Sequence, residues 1–237
     1  TLRDRWLYLA AMGGLGLAVF NLLFYFSAHH TTAVNIGILQ GAIPIIVLLG
    51  AFLLHGARIT RRQVLGVIVG LIGVITVALR GVPTQLADLS LNSGDLLMAG
   101  ACILYAGYTL GLKSRPAVPG IVLFSYFSIA GACLSAPFAV TEWWAGSMIW
   151  PNGTGWIVIA YITVFPSFLS QIFFLRSVDL IGPGRSGVFV NLTPIFSALL
   201  GVFLLGEAFR LYHGAALGLV VLGIWWARGA SGSAERS

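Results

Sequence analysis

Adding 150 to a residue number in the first third of this chain lands repeatedly on the same residue type. Phe24 meets Phe174, Ser27 meets Ser177, Gly37 meets Gly187, Pro44 meets Pro194 and Ile45 meets Ile195; Leu49, Leu54, Gly56 and Gly73 meet Leu199, Leu204, Gly206 and Gly223, with no gap needed. Apolar segments reuse few residue types, so matching leucines alone would carry little. Proline and glycine recurring at one constant offset mark an internal duplication, which constrains the fold more than any local motif does.

The duplicated segments are long and apolar. Eight spans, each near the roughly 20 residues of a bilayer crossing, run about 6–28, 32–54, 61–79, 92–112, 119–140, 154–175, 184–205 and 210–227. Only 8% of residues are charged and 58% are hydrophobic, with a mean hydropathy of +0.96, whereas a soluble domain carries about 25% charge. The expectation is an all-α integral membrane protein. Residues 6–28 are too long and wrongly flanked for a cleaved signal peptide and read as a mature helix.

Counterparts at the 150-residue offset lie five spans apart, an odd number, so the two copies enter the membrane with opposite orientation. The second copy holds spans four to eight and the first only three. The repeat therefore predicts a ten-helix bundle of two inverted five-helix halves, with two helices ahead of Thr1, an organisation typical of secondary transporters. The expected boundaries are an incomplete first repeat over 1–81, a linker over 82–91 on the outer side, a second repeat over 92–228 and a tail over 229–237.

Charge gives the orientation. Arg3, Arg5, Arg58, Arg61, Arg62, Lys113, Arg115, Arg176, Arg185, Arg228 and Arg236 fall on one side of the spans, and only Arg80 and Arg210 on the other. The positive-inside bias places both ends of the chain, and so its C-terminus, in the cytoplasm. Basic residues scattered at span ends are loop charges that orient a membrane protein, which excludes a nucleic-acid patch despite a net charge of +6. Cys102 and Cys133 lie inside apolar spans without metal-ligand spacing and read as packing residues.

Candidate functional residues are the polar groups inside spans. Span six carries Thr163, Ser167, Ser170 and Gln171 at helical spacing beside Pro166, which frees a backbone carbonyl. This stripe reads either as a cavity wall or as interhelical glue. Asn21 is the offset counterpart of Gln171 and puts a second carboxamide at the same level. Asn191 precedes Pro194 and Gln40 precedes Pro44; each either repairs the break in the helix or meets a substrate. Tyr105 and Tyr108 share a face of span four and offer ring and hydroxyl to an amphipathic compound, or simply pack. The histidines His29, His30, His55 and His213 fall at span ends and read as solvated or interfacial. Gly37, Gly41, Gly66, Gly70, Gly73, Gly214 and Gly218 read as close helix contacts. No carboxylate falls near the midplane, so proton coupling through a buried acid has no support. Paired aspartates and the His-Glu-x-x-His pattern are absent too, which argues against an intramembrane enzyme, and no cofactor or metal is expected.

The segments Phe24–Ala33 with Pro44, Arg61–Gly73, Gly94-Asp95, Tyr105-Ala-Gly-Tyr108 and above all Gly182–Gly223, with its Asn-Leu-x-Pro and Leu-Gly-Glu elements, resemble the EamA-type transporters of the drug/metabolite transporter superfamily along essentially the whole chain. The resemblance implies a permease with a central cavity that exports metabolites, amino acids or drug-like compounds across a bacterial inner membrane, with the lipid bilayer and a small-molecule substrate as partners. A lone chain and a homodimer are both compatible with it. It also draws attention to Arg185, for which pairing with Asp179 is one reading, and to Glu207. The first half departs from the pattern, with Gly56-Ala57 where the second keeps Gly206-Glu207. The alternatives are a non-transporting membrane scaffold or receptor and an inactive, shortened transporter.

Overall fold

The computed structural model describes residues 2–57, 59–87, 92–205 and 210–228; Glu207 lies outside them. Among the described residues every regular element is helical. α1 spans Trp6–Ala28, α2 comprises Ala33–Gly41 and Ile43–His55, and α3 spans Arg61–Ala78. α4 is Ser93–Gly111, α5 Gly120–Trp144 and α6 Gly153–Ile181; α7 comprises Pro183–Phe189 and Leu192–Leu205, and α8 is Leu211–Arg228. The first six are each long and apolar enough to cross a bilayer, and α8 is a shorter apolar helix. The single seventh span expected from hydropathy is two short helices, because the chain turns at Val190 and Asn191.

Side-chain caps set the helix starts. The Thr32 hydroxyl accepts from Asn35 N ahead of α2, and Asn152 Oδ1 accepts from Gly155 N at 2.8 Å ahead of α6. Thr60 with Gln63 and Asn92 with Asp95 form reciprocal capping boxes that start α3 and α4. α2 ends on Gly56 at φ +60°, where Gly56 N donates to Phe52 O and Ala57 N to Ala51 O. A left-handed glycine closing the helix in this way satisfies its last carbonyls.

The duplication is visible in the coordinates. α3 and α8 begin at Arg61 and Leu211 and end at Ala78 and Arg228, both pairs 150 residues apart. They cross with bare backbones touching. A methyl placed on Gly66 would lie 2.5 Å from Gly223 O, and one on Gly223 would lie 2.5 Å from Gly66 O and 2.7 Å from Gly70 N. On Gly73 it would meet Ala216 O at 2.9 Å and Val220 N at 3.1 Å. Shifted by 150, the contact of 66 with 223 becomes that of 216 with 73, and that of 70 with 223 becomes that of 220 with 73. Reciprocal contacts of this kind define a two-fold interface. Contacts that run up α3 while running down α8 make the two helices antiparallel, so the repeats are inverted. Around this contact a core of Val67, Val74, Val188, Ile195, Ala216, Val220, Ile224 and Ala227 closes.

α4 is the most enclosed of the long helices. It packs on α2 through Ile43, Val47, Met98, Ala101, Cys102, Ala106 and Leu110. Its other end joins α1, α5 and α6 around Leu9, Met12, Tyr108, Leu112, Leu123, Phe127 and Leu175. Its first turn is fastened to the α1–α2 connection by a buried carboxylate: Asp95, 3% exposed, accepts from Thr31 Oγ1 at 2.6 Å and from Asn35 Nδ2 at 3.0 and 3.1 Å. At the opposite end Asp179 is bridged to Arg115 at 2.6 Å. The early part of α6 stands apart, with none of its most apolar window buried.

Two expectations are corrected here. His213 is buried, not solvated: its Nδ1 accepts from Arg210 N at 3.1 Å and so caps the start of α8. Gly218 has nothing within 4 Å of an added methyl, because the close face of α8 runs through Ala216, Val220 and Gly223. Gly73→Val should therefore cost about 1–3 kcal/mol through forced separation of α3 and α8, while Gly218→Ala should be near neutral; unfolding of the two variants in mixed micelles checks the contrast.

Candidate functional site

Helix irregularities fall at related places in the two halves. α1 widens into a π-helical stretch over Gly14–Val19 and α6 over Thr163–Leu169, and 14–19 shifted by 150 is 164–169. Pro166 sits within the second of these, where its missing N–H releases a carbonyl one turn back. Pro44 opens the second piece of α2, and Pro194 stands at the third position of the second piece of α7. Neither proline can return a hydrogen bond to the residue four before it, Gln40 or Val190. The chain tightens instead to three-residue bonds, Ala42 N to Leu39 O at 3.1 Å and Thr193 N to Val190 O at 3.0 Å. At a π-bulge or tightened turn, polar backbone leaves the helical ladder and needs a protein-lined setting within a membrane.

The two breaks face one cavity of about 170 Å³. α2 contributes Gln40, Gly41 and Ile43, and α7 contributes Val190, Asn191 and Thr193. These are the same three positions in each half, 150 apart, so the cavity lies between equivalent elements of the repeat. The chemistry alternates across it: Gln40 matches Val190, Gly41 matches Asn191, and Ile43 matches Thr193. Phe20 of α1 and Tyr105 of α4 complete the lining, their rings 5.2 Å apart. Asn191 is 1% exposed, and neither its Oδ1 nor its Nδ2 has a hydrogen-bond partner. Among the described residues no lining residue is charged.

Of the sequence candidates, Gln40, Tyr105 and Asn191 thus meet in one place. Tyr108 and Gln171 lie one turn along α4: the Tyr108 hydroxyl donates to Gln171 Oε1 at 3.2 Å, and the Tyr105 and Tyr108 rings are 6.1 Å apart. Asn21 is on a different surface. It donates to its own helix at Leu17 O and borders a separate recess between α1 and α5 with Tyr25, Ser128 and Ser135. Ser167 and Ser170 are exposed on α6. Arg185, in the first turn of α7, is partly buried next to the buried Ser186.

Phe20, Ile43, Val190 and Thr193 were not among the sequence candidates. Val190 is the offset counterpart of the picked Gln40, so mapping that residue across the repeat points to it, while Ile43 and Thr193 are counterparts of each other and were reached by no picked residue. Phe20 is the offset counterpart of the picked Ser170, so the same mapping reaches it, although as a residue type it is one phenylalanine among 15.

The chain matches the EamA-like transporter family over residues 2–79 and 92–228. It is 24% identical over 211 residues to the uncharacterized transporter YetK of Bacillus subtilis (strain 168), covering 89% of this chain and 64% of that protein. It is 26% identical over 227 residues to the uncharacterized transporter YyaM of the same organism, covering 92% and 72%. The chain thus spans about two thirds of the length of these relatives. A solved crystal structure superposes with a TM-score of 0.77 at 20% identity, covering 93% of this chain and 75% of the other, a likeness of fold.

The Tyr108–Gln171 bond and the Tyr108 ring separate cleanly by mutation. Tyr108→Phe should cost about 0.6 kcal/mol, the average for interhelical hydrogen bonds in a membrane protein. Tyr108→Ala also empties the space between Gly16 and Phe127 and should cost about 3–5 kcal/mol. Equilibrium unfolding of both variants in mixed micelles measures the difference.

Proposed function

The chain belongs to the EamA-like transporter family, and we propose that it acts as a multi-pass permease that exports small metabolites or drug-like compounds by alternating access across a bacterial inner membrane. The observation that carries this reading is the cavity set between two equivalent helix breaks. A site shared by inverted repeats can be opened to either side by rocking one repeat against the other. Bare backbone contact between α3 and α8 favours such rocking, because small residues leave no interlocked side chains to withdraw.

The same symmetry bears on the exposed face of α6. α1, its counterpart, lies against α4 and α5, with Gly16 on Tyr108 and Met12 on Gly111. Orientation follows the arginine count, with the 82–91 linker outside and the C-terminus inside. Coupling is facilitated or loose in this reading, which the place of Asp95 supports: the one buried carboxylate among the described residues sits in the first turn of α4 and is held by hydrogen bonds.

Transport by the full-length protein in liposomes tests the reading. Asn191→Leu and Gln40→Leu should lower efflux about tenfold, the worth of one good hydrogen bond, at unchanged membrane abundance, and unchanged efflux in both would reject the cavity as the route. Flux should persist when only the pH gradient is collapsed. With Cys102 and Cys133 replaced, a cysteine at Thr84 should label from outside and one at Ser114 should not; the reverse would overturn the orientation.

A further inference from the structure

We infer that the cavity between the helix breaks selects small uncharged compounds that present a hydrogen-bond donor and acceptor side by side, as a carboxamide, lactam or urea does, and that the Asn191 side chain is the group that reads them. The inference rests on the permease reading and names its substrate class.

Asn191 is the anchor. Its amide is 1% exposed, and both of its polar atoms lack partners. A buried carboxamide in that state is held against a standing desolvation cost, which a ligand amide would relieve by pairing with both atoms at once. The amide is not needed to mend the helix. The Val190 carbonyl is already met by Thr193 N, and the equivalent break in α2 places Gly41, with no side chain, at the matching position. On its other flank Asn191 lies against α3, where a methyl on Gly70 would come within 3.2 Å of Nδ2. The amide is thus held between a backbone and the cavity.

The rest of the lining sets the remaining chemistry. Phe20, Tyr105, Ile43 and Val190 offer rings and alkyl surface, and Gln40 adds a second carboxamide. Among the described residues that line the cavity none is charged, so none of them compensates a desolvated carboxylate or ammonium. That disfavours organic ions and zwitterions such as amino acids. A volume of about 170 Å³ suits a single ring with one polar group, since an apolar cavity of about 150 Å³ takes up benzene.

Calorimetric titration of the full-length protein in lipid nanodiscs with three probes of one size tests this. Benzamide should bind saturably. Acetophenone, which keeps ring and carbonyl but has no N–H, should bind about tenfold more weakly, and benzoate should not bind. Asn191→Leu should weaken benzamide at least about tenfold while leaving acetophenone within a few-fold. The probe series on the unaltered protein decides the matter should that variant not fold. Benzoate binding as tightly as benzamide, or benzamide giving no saturable heat, would overturn the inference. Liposome flux separates the two readings: benzamide binding without any flux sinks the permease and spares this site. Flux of a charged compound without benzamide binding does the opposite.

Discussion

A proline inside a membrane helix has no N–H to offer the carbonyl one turn earlier, and lipid offers none in its place. That constraint acts twice here, at Pro44 and at Pro194. At each the helix tightens for a turn and restarts. Turned backbone of this kind is tolerable only where protein surrounds it. The stretches beside the two breaks are therefore packed: Ile43 and Val47 enter the α4 interface, and Val188 and Ile195 the α3–α8 core. Breaks drawn together from the two halves cannot pack as two straight helices would, and the space left between them is the cavity.

The halves are equivalent in backbone and unlike in side chains. Gly66, Gly70, Gly73 and Gly223 bring α3 and α8 together along reciprocal contacts, so the two-fold is kept where backbone touches backbone. In the cavity it is not kept: the counterpart of Gln40 is Val190, and that of Asn191 is Gly41. A wall built this way is polar at different heights on its two sides, which lets it orient an asymmetric molecule. Away from the cavity the polar groups are spent on fixing helix ends. Asp95 ties Thr31, Asn35 and Asn92 together at the start of α4, and Arg115 with Asp179 does similar work between the end of α4 and α6. These polar groups meet one another across helix ends, whereas both polar atoms of the Asn191 amide stay unpaired.

Much of the architecture was legible in the residues. The offset of 150 and the two prolines are linear features, and the expected second, third and fourth spans start within one residue of α2, α3 and α4. Gln40, Tyr105 and Asn191 could be picked because a polar group in an apolar span needs a reason to be there. The same argument also picked Asn21, Ser167 and Ser170, which face other surfaces. It passed over Phe20, whose ring lines the cavity, because an aromatic residue in a membrane helix attracts no notice. His213 looked interfacial by position and is buried as a cap.

The sequence by itself determined which segments are helices, where they start, where two of them must break, and that the second set repeats the first upside down. Each of these follows from composition, periodicity or backbone chemistry along one dimension. Only the tertiary structure decided which side of each helix faces the cavity, that Tyr108 spends its hydroxyl on Gln171, and that Gly223 and not Gly218 meets the opposite half. Those outcomes depend on how far each helix is rotated about its own axis. Packing between helices sets that rotation, and an apolar span with residues of similar hydrophobicity all round carries no record of it.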